Sequence, residues 1–140
     1  MSKTITTLTT AFGLFIAWII YLADTRQSSL FFDLVKATPY GDKIGHFFLF
    51  GILTFGTNLV LKNRGRAMGK VFIPFGALSI FGLVIVEELT QAFFPWRTVD
   101  ITDILSDLAG IMAFSLLSLQ PRIQRLFIRT DHAPINNDIS

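Results

Sequence analysis

Apolar residues run through this chain in four stretches, residues 5–23, 44–61, 71–94 and 102–119. Each approaches the ~20 residues that cross ~30 Å of hydrocarbon. The first carries no charge, and the second opens just after Asp42 and ends at Lys62. The third holds Pro74 in its first turn, where a missing amide donor is tolerated, and passes through Glu87, Glu88 and Gln91 before Pro95 stops it. The fourth begins at Thr102, the expected N-cap for Asp103 onward. This pattern predicts an all-α membrane protein with four transmembrane helices, one domain over residues 1–120 and a polar cytoplasmic tail over residues 121–140. The first run could also be a signal peptide, but Tyr21 stands where cleavage after Ala23 needs a small residue.

The connections read differently from one another. Residues 24–40 are polar and mixed in charge; Thr38-Pro39-Tyr40-Gly41 reads as a turn, with a short interfacial helix expected around residues 30–35. Lys62, Arg64, Arg66 and Lys70, with Gly65 and Gly69 among them, read as a basic loop. An even number of spans puts both termini on one side. The positive-inside rule makes that side cytoplasmic, because Lys3, the basic loop, Arg122, Arg125 and Arg129 outweigh Arg26, Lys36, Lys43 and Arg97 opposite.

Composition narrows the function classes. Of 140 residues, 51% are hydrophobic and only 16% charged, which departs from soluble domains on both counts. With no cysteine, disulfides, thiolate nucleophiles and thiolate metal sites are all excluded. One of only two histidines, His132, sits in the polar tail, so neither a metal centre nor any other cofactor is expected. The net charge of +2 comes from basic residues at the ends of apolar runs. Topology explains them without nucleic acid.

The polar residues at the ends of these runs carry the candidate chemistry. At 1.5 Å per residue, His46, Glu87 and Asp107 lie about 24, 25 and 20 Å from the basic ends of their runs, one shared layer just below the outer interface. Ionisable groups so placed are costly and point to a site or a buried pair. Asp103, Asp107 and Gly110 share a helix face, and Gly110 lets a neighbour approach closely. Only one of Glu87 and Glu88 can point squarely at the bundle centre. Asp42 is one turn before His46, where a carboxylate can fix the imidazole tautomer. Asp42, His46, Glu88 and Asp103 are therefore the candidate proton-handling set. Lys43, Gln91, Arg97, Asp100 and Asp107 are the candidate binding set, with Arg97 placed to neutralise a phosphate or carboxylate. The structural alternative pairs Arg97 with Asp100 and Lys43 with Asp42 in a plug that fixes helix register, and Tyr40, Phe93, Phe94 and Trp96 then form an interfacial aromatic belt.

At these residues the chain resembles the VanZ-like family of small bacterial membrane proteins. The likeness rests on Asp42-Lys43-Ile44-Gly45-His46, on Glu88-Leu89-Thr90-Gln91, and on Arg97-Thr98-Val99-Asp100-Ile101-Thr102-Asp103 followed by Gly110. Asp107 departs from it, standing where the family usually has Asn; either it is protonated or it finds a cation, the nearest by topology being Arg97 or Lys43. The resemblance implies a multi-pass protein of the bacterial cytoplasmic membrane with a cell-envelope role, one associated with low-level resistance to teicoplanin. The function expected is binding, with or without modification, of a membrane lipid or lipid-linked envelope precursor in an outward-facing pocket. A non-enzymatic assembly factor for another membrane protein, and a small transporter or flippase acting as a homo-oligomer, are the alternatives.

Overall fold

A computed structural model describes residues 3–25, 27, 30–97 and 100–128. Arg26, Thr98, Val99, Arg129, His132 and the rest of the tail, which figured in the sequence reading, lie outside the described residues. The chain forms α1 (Lys3–Asp24), α2 (Leu30–Ala37), α3 (Gly41–Val60), a hairpin of β1 (Gly65–Met68) and β2 (Val71–Pro74), then α4 (Phe75–Gln91), α5 (Ile101–Ser118) and a short α6 (Pro121–Phe127).

The expectation of four transmembrane helices is corrected to three. Among the described residues, α1, α3 and α5, of 22, 20 and 18 residues, are long and apolar enough to cross a membrane. The third expected run divides instead. Its first four residues become β2, antiparallel to β1 with Gly65 opposite Pro74 and Met68 opposite Val71. Gly69 takes φ 63° in the turn, a conformation that costs glycine little. Val71, Phe72 and Ile73 have the β-branched and aromatic side chains that strands favour. Phe75 N–H then donates to Arg64 O at 2.8 Å, closing the hairpin onto the start of α4. What remains is a helix of 17 residues, about 26 Å long against a ~30 Å core. The inference that both termini share a side rested on an even number of spans and lapses with it. The basic loop is thus an ordered hairpin. The turn at residues 38–41 and the short helix before it are present as expected, with Gly41 N–H donating to Thr38 O at 2.9 Å.

α3 and α5 run parallel, with α4 returning the chain between them. Along this seam partners are offset by a nearly constant number of residues: Lys43 meets Asp103, His46 meets Asp107, and Asn58 meets Ser118. Closeness comes from glycine. A Cβ on Gly110 would collide with the Phe47 backbone, and one on Gly51 with the Phe114 ring. At the hairpin end, buried Asn58 accepts from Ala77 N–H at 3.1 Å and donates to Ser115 and Ser118 hydroxyls at 3.3 and 3.2 Å, tying α3, α4 and α5 together. Asn63, held at φ 52°, donates to Ser118 O at 2.9 Å. The core is a cluster of Ile16, Phe50, Leu53, Ala77, Ile80, Val84 and Ile111. α1 buries only Ile16 and Ile19, of which Ile16 joins this cluster; Leu14, Phe15 and Trp18 point outward, which hydrocarbon tolerates and water does not.

Gly110→Val should lower unfolding stability in detergent by about 2 kcal/mol or more, because backbone must move to admit the side chain. Gly82 has nothing within 4 Å of an added Cβ, so Gly82→Ala should stabilise by up to ~1 kcal/mol through helix propensity. Thermal or denaturant melts of the two variants check the seam.

Candidate functional site

The site begins with how α5 is capped. Asp100, not Thr102, is the N-cap: its Oδ1 accepts from Thr102 N–H at 2.9 Å and from the Thr102 hydroxyl at 2.7 Å. Its other oxygen is free to take a cation. Lys43, in the first turn of α3, donates to Asp100 Oδ2 at 2.8 Å, to Asp103 Oδ1 at 2.6 Å and to Asp42 Oδ2 at 2.8 Å. One ammonium thus joins three carboxylates and fixes α3 against α5 at their first turns. The hydrogen bond from Lys43 holds the Asp100 carboxyl well below the usual carboxylate range, with the Thr102 bonds acting the same way.

One turn further on, His46 Nδ1 lies 3.1 Å from both oxygens of Asp107, which is fully buried. A carboxylate there places the ring proton on Nδ1 and leaves Nε2 as the acceptor. Nε2 is 3.9 Å from Asp103 Oδ2. From the sequence, Asp107 is expected to be protonated or to pair with Arg97 or Lys43, and His46 to take its tautomer from Asp42. Packing reassigns both: Lys43 is occupied by Asp42, Asp100 and Asp103, and His46 pairs with Asp107.

α4 supplies the third side. Glu87 and Glu88 are both buried, at 8% and 2% exposure, although one of them was expected to face away. Glu87 Oε1 accepts from Gln91 Nε2 at 2.8 Å and from Arg97 at 3.0 Å. Arg97 Nε lies 3.9 Å from Asp24 Oδ1 at the end of α1. Arg97 therefore joins α4 to α1 instead of pairing with Asp100. Trp96 Nε1 donates to Asp24 O at 3.0 Å, holding the connection over the same helix end. Glu87 Oε2, Glu88 Oε2 and Asp24 Oδ1 are buried without a hydrogen-bond partner.

These elements enclose a cavity of about 290 Å³, near the lower end of small-ligand pockets. Ile16, Ile19, Ile20, Leu49 and Phe50 form its apolar wall; Asp42, His46, Glu87, Gln91, Arg97 and Asp103 form its polar wall, with Trp96 at its edge. Asp42, His46 and Asp103 of the proton-handling set line it, as do Gln91 and Arg97 of the binding set. Glu88, Lys43, Asp100 and Asp107 stand behind the wall. Among the described residues, no group of three His, Asp or Glu side chains is arranged to hold a metal ion. Chemically, the arrangement offers an oriented imidazole and several carboxylate acceptors beside an apolar surface.

Two contributors escaped the sequence reading. Asp24 looked like a loop residue following a span. Asn58, with Ser115 and Ser118, forms a second buried polar layer, and its only sequence signal was an amide inside an apolar run.

Fold and site together define a multi-pass helical membrane protein with a half-open cavity, one wall polar and one apolar, at one end of its bundle. The chain belongs to the VanZ/LLP1 family, whose model matches residues 3–123. It is also 33% identical over 89 residues to a Schizosaccharomyces pombe protein named only as uncharacterized protein C11E3.10, covering 63% of this chain and 52% of that one. The chain thus spans about half the length of that relative. No solved structure matches it.

Two variants test this wiring. Asp107→Asn, which restores the residue usual in the family, keeps an acceptor for His46 and should stay within ~1 kcal/mol of the parent, whereas Asp107→Leu should cost ~1–3 kcal/mol by leaving Nδ1 unbonded. Paired melts decide it, and equal stability of the two would rule out the His46–Asp107 bond. Because the Asp100 carboxyl is held down, its contact with Lys43 contributes at all pH values above the ordinary ~3.9 and is lost as pH falls through the lowered value. Lys43→Met should therefore return the Asp100 titration, read by carboxyl ¹³C shifts, upward toward the ordinary value.

Proposed function

We propose that this protein binds an amphiphilic or lipid-linked component of the cell envelope, with the polar head in the cavity between α1, α3 and α4. The observation that carries this reading is the division of one cavity wall into an apolar side on α1 and α3 and a hydrogen-bonding side at His46, Glu87, Gln91, Arg97 and Asp103. A small soluble ligand has no use for the first, and a purely structural plug has no use for the enclosed space. Within this reading His46 is the group that accepts a hydrogen bond from a hydroxyl or ammonium of the bound head, since Asp107 orients it and its Nε2 is left as the acceptor. Asp103 assists as its neighbour, Asp42 contributes through Lys43, and Glu88 sets the field behind them. Residence in a bacterial cytoplasmic membrane and a link to teicoplanin resistance come from the family resemblance and belong to the same proposal.

The test is lipid analysis of protein purified from its own membranes. Native mass spectrometry should find a bound amphiphile enriched over the bulk membrane lipids. His46→Gln and Gln91→Leu should reduce that occupancy about tenfold, a loss of ~1.4 kcal/mol of binding, with melting temperatures near that of the parent. Recovery of bulk lipid alone, in unchanged ratio across these variants, would refute the reading. A parallel loss of stability and occupancy would mean that the polar layer is a structural lock.

A further inference from the structure

Among the described side chains, both Lys43 and Arg97 are already engaged by carboxylates. The ammonium of Lys43 meets three carboxylates within 2.8 Å, and the guanidinium of Arg97 meets Glu87 at 3.0 Å and Asp24 at 3.9 Å. What the cavity has to spare is acceptors. Glu87 lines it, is 8% exposed, and keeps Oε2 without a partner. Among the described residues, Glu88 Oε2 is likewise buried without a hydrogen bond, and Asp24 Oδ1 has only the 3.9 Å contact with Arg97. Even with His46 charged, carboxylates outnumber cations around this cavity among the described side chains. An anionic head would meet neutralised cations and surplus negative charge, and would leave those acceptors unsatisfied. A head that donates hydrogen bonds and carries positive charge satisfies them.

A second cavity shows where the rest of such a molecule lies. It has a volume of about 540 Å³, is bounded by α1, α3 and α4, and shares Ile16, Ile20, Phe50 and Glu87 with the first. It extends along α1 as far as Thr6, about 21 Å from Ile20 at 1.5 Å per residue. Apart from Glu87 and threonines facing it, its wall is apolar, with Leu53, Ile80 and Leu83 on the far side. Glu87 thus stands at the junction of a polar chamber and an apolar groove.

We infer that the ligand is a long-chain amphiphile with an ammonium head, the head donating to Glu87 in the first cavity and the chain lying between α1 and α4. This rests on the binding reading above and differs from the sequence expectation that Arg97 neutralises a phosphate or carboxylate. It also assigns Glu87, outside the candidate set until now, as the residue that determines head-group specificity.

Trp96 borders the first cavity, and Trp18→Phe makes it the sole tryptophan of a chain that has two. In this background, in nanodiscs of uncharged lipid, Trp96 fluorescence is titrated with hexadecylamine, hexadecanol and hexadecyl phosphate. The amine should bind saturably at least tenfold more tightly than the phosphate, with the alcohol between them. Glu87→Gln releases Arg97 and should reverse the order, while Ala17→Phe, which fills the groove, should weaken all three probes alike and preserve it. Tighter binding of the phosphate by the parent, or an order unchanged in Glu87→Gln with the fold intact by circular dichroism, would overturn the ammonium assignment and leave amphiphile binding standing. Absence of saturable binding by any probe would overturn both.

Discussion

The contact on which the rest depends is the approach of α3 to α5 at Gly110. Without a side chain there, the Phe47 backbone comes close enough for two parallel helices to hold one register along their whole length. Helices in hydrocarbon gain nothing from the hydrophobic effect when they associate, so close backbone packing and interhelical hydrogen bonds must do that work. Both appear along this seam. Lys43 bridges to Asp100 and Asp103, His46 to Asp107, and Asn58 to Ser115 and Ser118. A one-residue slip would turn each donor from its acceptor by 100°, and every one of these groups would be left unbonded in an apolar surrounding.

The parallel seam also dictates the remaining architecture. Because α3 and α5 point the same way, the chain must come back between them. The hairpin β1–β2 reverses its direction, and α4 returns it, beginning at Ala77 against Asn58 and ending with Glu87, Glu88 and Gln91 beside His46. The carboxylates of α4 thus arrive at the site as the last turn of a helix whose first turn is pinned at the opposite end. α1 adds the fourth wall through few buried residues, and Arg97 and Trp96 tether its end at Asp24. A helix so lightly held leaves a groove beside it.

Much of this was legible in the sequence, and what was not has a common physical reason. Apolar runs long enough to cross a membrane identified α1, α3 and α5, and the turn before Gly41 was marked by its proline and glycine. The level of His46, Glu87 and Asp107 came from counting residues at helical rise; His46 and Glu87 line one cavity, and Asp107 holds His46 from behind it. Division of the third run was missed because Val71 to Ile73 suit a strand and a span equally, and only the Gly69 turn with its basic flank separates the two. Pairing was missed more widely. Periodicity puts a side chain on a face of its own helix, but Asp107 has His46 as its partner through the rotation of one helix against another, and Arg97 reaches back to Glu87 from the connection that follows α4. Asp24 could not be assigned for the same reason, since its partner lies 73 residues away across a contact no local pattern encodes.

The two buried polar layers of this bundle differ in a way that separates scaffold from site. At the hairpin end every group is satisfied. Asn58 uses its amide on Ser115 and Ser118 and its carbonyl on Ala77, and the Ser118 hydroxyl donates to Asn63 and to the Ser115 carbonyl. Nothing there is left for a ligand, and a closed network of neutral groups is what fixes register at least cost. At the other end the groups are ionisable, their desolvation is more expensive, and three carboxylate oxygens remain unbonded. If register were the only requirement, a second neutral layer like the first would meet it with no unpaired charge. Charge retained with acceptors left over, beside a half-open cavity that adjoins an apolar groove, goes beyond what register requires, and it is on this surplus that the proposed binding site rests.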